Sequence, residues 1–127
     1  MKDNQALIVV DVQKDFLETG ALPVKDGSQV VPVINRISPK FKHVVFTQDW
    51  HPQGHISFAS SHLGKAPYST IDVSYGKQVL WPEHCVQNKV GAEFADGLNT
   101  ENGDCFVKKG AHSDIDSYSA FLEADRK

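Results

Sequence analysis

The sequence predicts an α/β fold built on a parallel sheet, and two observations lead there. One is a continuous apolar run, Ala6-Leu7-Ile8-Val9-Val10, rich in β-branched residues and stopped at Asp11. Unbroken rather than alternating apolarity marks a strand buried on both faces, as in parallel sheets. The other is spacing. A second run, His43-Val44-Val45-Phe46-Thr47, follows within about 45 residues with a helix-compatible stretch between, which is the length of a βαβ crossover.

Each element has its own justification. Val30-Val31-Pro32-Val33-Ile34-Asn35-Arg36-Ile37 reads as the crossover helix, capped by Ser28 or Asp26, with Pro32 in the first turn where proline is tolerated. The second strand is expected to end at Gln48-Asp49. Cys105-Phe106-Val107-Lys108 reads as a third strand, followed by Lys109-Gly110. Ala6 to Val10 is expected to be a central strand, with neighbours on both edges. Between Trp50 and Gly103 there is little periodicity and an abundance of His, Trp, Pro, Gly and Ser; such stretches inside a compact domain are usually lids or binding loops. No internal repeat or linker divides the chain, so residues 1–127 read as one domain.

Composition excludes several function classes. A net charge of −3 offers no basic excess to displace counterions, which argues against nucleic-acid binding. No apolar run approaches the length of a membrane helix. Met1-Lys2-Asp3-Asn4-Gln5 leads into an apolar stretch too short for a signal peptide. Two cysteines, Cys85 and Cys105, make neither a disulfide framework nor a zinc spacing, and a reduced, cytoplasmic protein is expected.

Chemistry-bearing residues gather where strands end. Asp11 closes the first strand; it is a candidate general base in the crevice where open α/β sheets bind ligands, or else a cap for the following turn. Asp49 and His51 lie two apart and so point the same way from a strand. With His55 and His84 they offer an Asp plus two or three His, a donor set suited to zinc, iron or manganese. Three of the six histidines lie between positions 51 and 62, although surface loops also carry such residues. Lys109 ends the third strand, where an ammonium can favour a thiolate or simply be solvated. Its neighbour Lys108 must point the opposite way. Phe16 and Trp81 can wall a flat aromatic ligand or belong to the core.

Taken in order, Asp11-Val12-Gln13-Lys14-Asp15-Phe16, Thr47-Gln48-Asp49-Trp50-His51-Pro52, His55-Ile56-Ser57-Phe58, Trp81-Pro82-Glu83-His84-Cys85-Val86, Lys109-Gly110 and Asp116-Ser117-Tyr118-Ser119-Ala120-Phe121 resemble the bacterial nicotinamidase (pyrazinamidase) branch of the isochorismatase-like cysteine hydrolases. The resemblance runs the length of the chain. It implies a doubly wound, three-layer αβα parallel sheet and the hydrolysis of nicotinamide, and with it pyrazinamide, to nicotinate and ammonia in NAD salvage. Asp11 and Lys109 match the Asp and Lys of the family's Cys-Asp-Lys triad. Asp49, His51 and His84 match ligands of one divalent transition metal, zinc first, with iron or manganese as alternatives. His55 matches a position that ligates in some members only. Phe16 and Trp81 match walls of the nicotinamide pocket. A homo-oligomer is compatible with the resemblance.

One departure stands out. In the family the triad cysteine follows a fourth strand, in a segment resembling Gly-x-x-x-Asp-x-Cys-Val, and no such segment occurs here. Cys85 lies beside a ligand and matches no nucleophile. The chain is therefore expected to be the N-terminal part of the domain, with the C-terminal half missing, and inactive by itself. A second reading is a metal- or ligand-binding remnant without catalysis. A third is an isochorismatase-type hydrolase, against which the Asp49-x-His51 and His84 ligand set argues.

Overall fold

The computed structural model describes residues 4–127. Three parallel strands form the main sheet: β1 (Ala6–Val10), β2 (His43–Asp49) and β5 (Cys105–Lys109), in the order β1-β2-β5. One α-helix, α1 (Val30–Ile37), crosses over between β1 and β2. A separate antiparallel hairpin, β3 (Thr70–Val73) and β4 (Gly76–Val79), stands within the long middle segment.

The sheet's alternation fixes what packs where. In β1 and β2, Leu7, Val9, Val44 and Phe46 share one face, and against it lie Val31 and Ile34 of α1 together with Phe94 and Leu98. Phe46 anchors this core, with Phe94 edge-on at 5.6 Å between centroids and Phe106 stacked at 5.4 Å. The opposite face carries Ile8, Val10 and Cys105, all exposed.

Among the described residues β2 is the middle strand and β1 is paired on one side only, which leaves Ile8 44% and Val10 60% exposed. Three of the five buried residues of β2 are polar, Thr47, Gln48 and Asp49 beside Val44 and Phe46. Two expectations need correction, on the helix cap and on the middle segment. Neither Ser28 nor Asp26 caps α1. A 3-10 turn over Gly27–Gln29 precedes the helix, and the Ser28 hydroxyl donates instead to Glu18 Oε1 at 2.9 Å. The stretch from Trp50 to Gly103 contains the β3–β4 hairpin, whose four-residue strands are too short to stand out as a periodicity.

Among the described residues no helix is long and apolar enough to cross a membrane.

Candidate active site and metal centre

Register builds the site. Parallel pairing sets Val10 beside Thr47 and Asp49 beside Lys109, so β2 and β5 finish level and β1 stops two residues short, all three at the same edge of the sheet. Asp11, Asp49, His51 and Lys109 thereby reach one edge of one sheet. Lys109 turns into that edge, while Lys108 turns away and lies over the Trp50 ring at 3.7 Å from its centroid.

Asp11 sits in the left-handed region at φ 51, an uncommon conformation for a residue with a side chain. It is held there from β2. The Asp11 N–H donates to the Thr47 carbonyl at 3.2 Å, and the Thr47 hydroxyl donates to Asp11 Oδ1 at 2.6 Å. Asp11 Oδ2 is 2.8 Å from Lys109 Nζ, which also bonds Asp49 Oδ1 and the Ser117 carbonyl. One ammonium thus joins two carboxylates, and the trio keeps one net negative charge. Burial works against the charged form of Lys109, but the Asp49 charge and the hydrogen bonds to both carboxylates outweigh it, and its proton is held more tightly than in an ordinary lysine.

Asp49, His51 and His84 converge, all buried. The Nε2 atoms of His51 and His84 lie 3.6 and 3.8 Å from Asp49 Oδ2. Each imidazole has its Nδ1 on a backbone carbonyl: His51 on Gly110 at 2.9 Å, His84 on Pro82 at 2.8 Å. A carbonyl only accepts, so Nδ1 carries a proton, and in the neutral ring Nε2 presents a lone pair to the carboxylate. Such an arrangement calls for a positive charge between the three atoms. Consistent with that, burial disfavours the Asp49 carboxylate, yet His51, His84 and Lys109 outweigh burial and hold its carboxyl well below the usual range. His51 is likewise raised by Asp49 against the cost of its burial. Gly110 makes the His51 bond feasible: at φ 64 it suits glycine, and a Cβ there would fall on the His51 ring.

His55 lies near but is otherwise engaged. Its ring is 4.3 Å from that of His51. Its Nε2 donates to the Ile115 carbonyl at 3.1 Å, and its Nδ1 is 2.7 Å from the Ser57 hydroxyl. Both nitrogens are satisfied by protein, and burial together with the His51 charge lowers its proton affinity. His51, His55 and Asp116 form a second group of ligand-type atoms. There Asp116 accepts from Gln78 Nε2 at 2.9 Å and from the Ser117 N–H at 2.9 Å. That cluster is closed by its own hydrogen bonds, whereas the Asp49, His51 and His84 donors are not.

A cavity of about 190 Å³ opens over these groups, lined by Asp11, Phe16, Asp49, His51, Trp81, His84, Lys109 and Tyr118 among others. Phe16 lies 5.6 Å from the His84 ring, and Trp81 Nε1 donates to the Tyr118 hydroxyl at 3.2 Å. A larger groove of about 610 Å³ between β1 and α1 is lined by residues such as Ile8, Val10, Val30 and Val33, and it gathers no set of reactive groups. Tyr118, Asp116, Gln13 and Asp15 are site residues for which sequence reasoning assigned no part. The Asp116-to-Phe121 motif was in view, but its pairing with Gln78 spans 38 positions and leaves no local signal.

Neither thiol is placed to react. Cys85 is buried beside His84; burial and the nearby carboxylates push its thiol far up, away from thiolate. Cys105 opens β5, and at about 3.3 Å per residue it lies roughly 13 Å from Lys109.

The chain is similar to known proteins along its whole length. The nicotinamidase of Acinetobacter baylyi is 53% identical over 124 residues, covering 98% of this chain and 58% of the relative. A solved nicotinamidase/pyrazinamidase from Acinetobacter baumanii superposes with a TM-score of 0.97 at 50% identity, over 100% of this chain and 61% of that one. The pyrazinamidase of Pyrococcus horikoshii, solved in complex with zinc, gives 0.69 at 39% identity, over 91% of this chain and 57% of its own. The chain therefore spans less than two thirds of the length of these relatives. The Isochorismatase domain matches residues 5–124, nearly the whole chain, and with the parallel sheet and its shared strand ends this establishes that the chain belongs to the isochorismatase family.

Proposed function

We propose that this chain carries the base, lysine, metal-ligand and ring-pocket part of a nicotinamidase, which hydrolyses nicotinamide, and with it pyrazinamide, to nicotinate and ammonia. The observation that carries the reading is that β1, β2 and β5 all end at one edge of the sheet, which brings Asp11, Lys109, Asp49 and His51 under one cavity walled by Phe16 and Trp81. The nicotinamidase and pyrazinamidase relatives support the substrate class.

Asp49, His51 and His84 are the proposed ligands of one divalent metal. Zinc is favoured by the one-carboxylate, two-imidazole donor set and by the zinc complex of the Pyrococcus horikoshii relative. When bound, such an ion supplies a Lewis-acidic anchor for a ring nitrogen. His55 is left outside this set because its nitrogens are already committed to Ser57 and Ile115.

The chain's own residues would do the rest. An amide is a poor electrophile, so the reaction is divided into thioester formation and thioester hydrolysis. Asp11 takes the proton of the attacking thiol and passes it to the departing ammonia, work worth roughly 10²–10⁴-fold. Lys109 keeps Asp11 oriented and favours the thiolate. Phe16 and Trp81 hold the ring flat. The attacking thiol is neither Cys85 nor Cys105, and for these 127 residues alone a ligand-binding, non-catalytic role follows from that placement. The metal-ligand set disfavours the isochorismatase-type alternative. A reduced, cytoplasmic setting fits the two free thiols.

The test is ligand discrimination by the zinc-loaded chain. Nicotinamide should bind at least tenfold more tightly than benzamide, which has the same shape without the ring nitrogen. Equal affinity for the two, or no binding of either, overturns the reading.

A further inference from the structure

We propose that Gln13 and Asp15 are positioning residues that together fix the spacing of the metal ligands Asp49 and His84. They project from the same short turn that follows the candidate base Asp11. The proposal rests on the metal reading given above.

Gln13 is fully buried, and its side-chain amide behaves like one more strand laid beside Asp49. The Asp49 N–H donates to Gln13 Oε1 at 2.8 Å, and Gln13 Nε2 donates to the Asp49 carbonyl at 2.8 Å. The second amide hydrogen goes to the Ala92 carbonyl at 2.8 Å. Both backbone groups of a proposed ligand are thus held by one planar side chain, which resists sliding of Asp49 along the strand. β2 ends at Asp49 and β1 ends at Val10, so no neighbouring strand on that side serves this purpose.

Asp15 does the equivalent for His84. Its Oδ2 accepts from the Cys85 N–H at 2.7 Å across 70 positions of sequence, and its Oδ1 accepts from the Ala21 N–H at 3.3 Å. A charged acceptor makes the first of these a strong bond. Cys85 has φ 47, the left-handed region, and it is the residue directly after the ligand. The carboxylate therefore holds a strained peptide whose orientation sets where the His84 imidazole begins.

An independent feature points the same way. Gly91 packs against the Asp15 side chain so closely that a Cβ there would coincide with the carboxylate. The turn is also tied down from beneath, through Lys14 N–H to the Glu93 carbonyl at 3.0 Å and Ala95 N–H to the Val12 carbonyl at 2.9 Å. Residues 11–15 thus form one rigid strip that carries the base at one end and a holder for each of two ligands further on.

The experiment compares the chain with its Gln13→Met, Asp15→Ala, Asp15→Asn and Gly91→Ala variants, using cobalt(II) alone as the probe. Cobalt affinity is read from its visible absorption, and amide hydrogen exchange at Asp49 and Cys85 is read without metal. Gln13→Met, Asp15→Ala and Gly91→Ala should each weaken cobalt binding by roughly 10–100-fold, as loss of a ligand's supporting partner does. Asp15→Asn keeps an acceptor for the Cys85 N–H and should be the mildest. Exchange should rise at Asp49 in Gln13→Met and at Cys85 in the Asp15→Ala and Gly91→Ala variants, each without the other. Folded variants with unchanged cobalt affinity, or exchange that rises equally at both amides, overturn the proposal. Should one substitution prevent folding, the remaining three still decide. If the unsubstituted chain takes up no cobalt, the metal reading fails, and the residue-specific exchange still tests the holders.

Discussion

Lys109 Nζ lies 2.8 Å from Asp11 Oδ2 and at the same time bonds Asp49, so the candidate base and the candidate metal ligand share one cation. Removing that cation strands two carboxylates in a site where Lys109 and Asp49 are each 7% exposed. Breaking a buried ion pair from one side costs about 3–5 kcal/mol. Lys109→Met is expected to lose stability on that scale in urea denaturation, and an unchanged midpoint would show that the trio is not coupled.

The same ammonium predicts a pH dependence. Its folded proton affinity is raised above the ordinary lysine value of 10.5, because the Asp49 and Asp11 interactions outweigh burial. A raised group contributes stability that is fully present below the unfolded value and is lost as pH rises through the folded one. Alkaline destabilisation from this source should therefore begin above about 10.5 and be absent in Lys109→Met. Denaturation curves of both proteins between neutral and strongly alkaline pH provide the check; parallel losses in the two count against it.

Metal content tests the ligand set. His51→Ala removes one of three donors, and its metal occupancy should fall far more than that of His55→Ala, whose ring is committed to Ser57 and Ile115. Losing a direct ligand should cost more than the roughly 10–100-fold typical of supporting residues. Elemental analysis of the purified proteins decides, and equal metal in His51→Ala and the parent rules the assignment out.

How much of this was legible in the sequence depended on distance along the chain. The strands at Ala6–Val10 and Cys105–Lys109 announce themselves by apolar runs, and Asp49 with His51 by their two-residue spacing. The burial of polar Thr47, Gln48 and Asp49 in β2 did not show. The commitments of His55 did not show either: its Ile115 partner is 60 positions away. Gln13 reads as an ordinary polar residue until Asp49, 36 positions on, is placed beside it. Spacing identifies candidates, while the bonds that decide their roles are long-range.

The ring pocket makes a ligand-level prediction. Trp81 carries its indole N–H to the Tyr118 hydroxyl, and Phe16 stands against His84 across the cavity. Trp81→Ala removes a stacking wall worth about 0.5–1.5 kcal/mol beyond its buried area. Nicotinamide affinity for the metal-loaded chain should drop by at least several-fold, with metal content unchanged. Calorimetric titration that finds the same affinity in both proteins would remove Trp81 from the pocket.

The thiols give the last prediction. A nucleophilic cysteine needs thiolate character and reach to Asp11 and Lys109. Cys85 lacks the first: its side chain is fully buried, and the surrounding Asp49, Asp15 and Asp11 carboxylates add to burial in disfavouring its thiolate. Cys105 is exposed but opens β5, at the far end of the strand from Lys109. Ammonia release from nicotinamide by these 127 residues should therefore stay at background, and no thioester should be trapped on either cysteine. In any longer form of the protein that is active, Cys85→Ala and Cys105→Ala should each leave turnover within a few-fold of the parent. The measurement is ammonia release paired with mass spectrometry of the protein after mixing with nicotinamide. Turnover by this chain that vanishes in Cys85→Ala, with a nicotinoyl adduct on Cys85, would overturn the prediction and make Cys85 the nucleophile despite its burial.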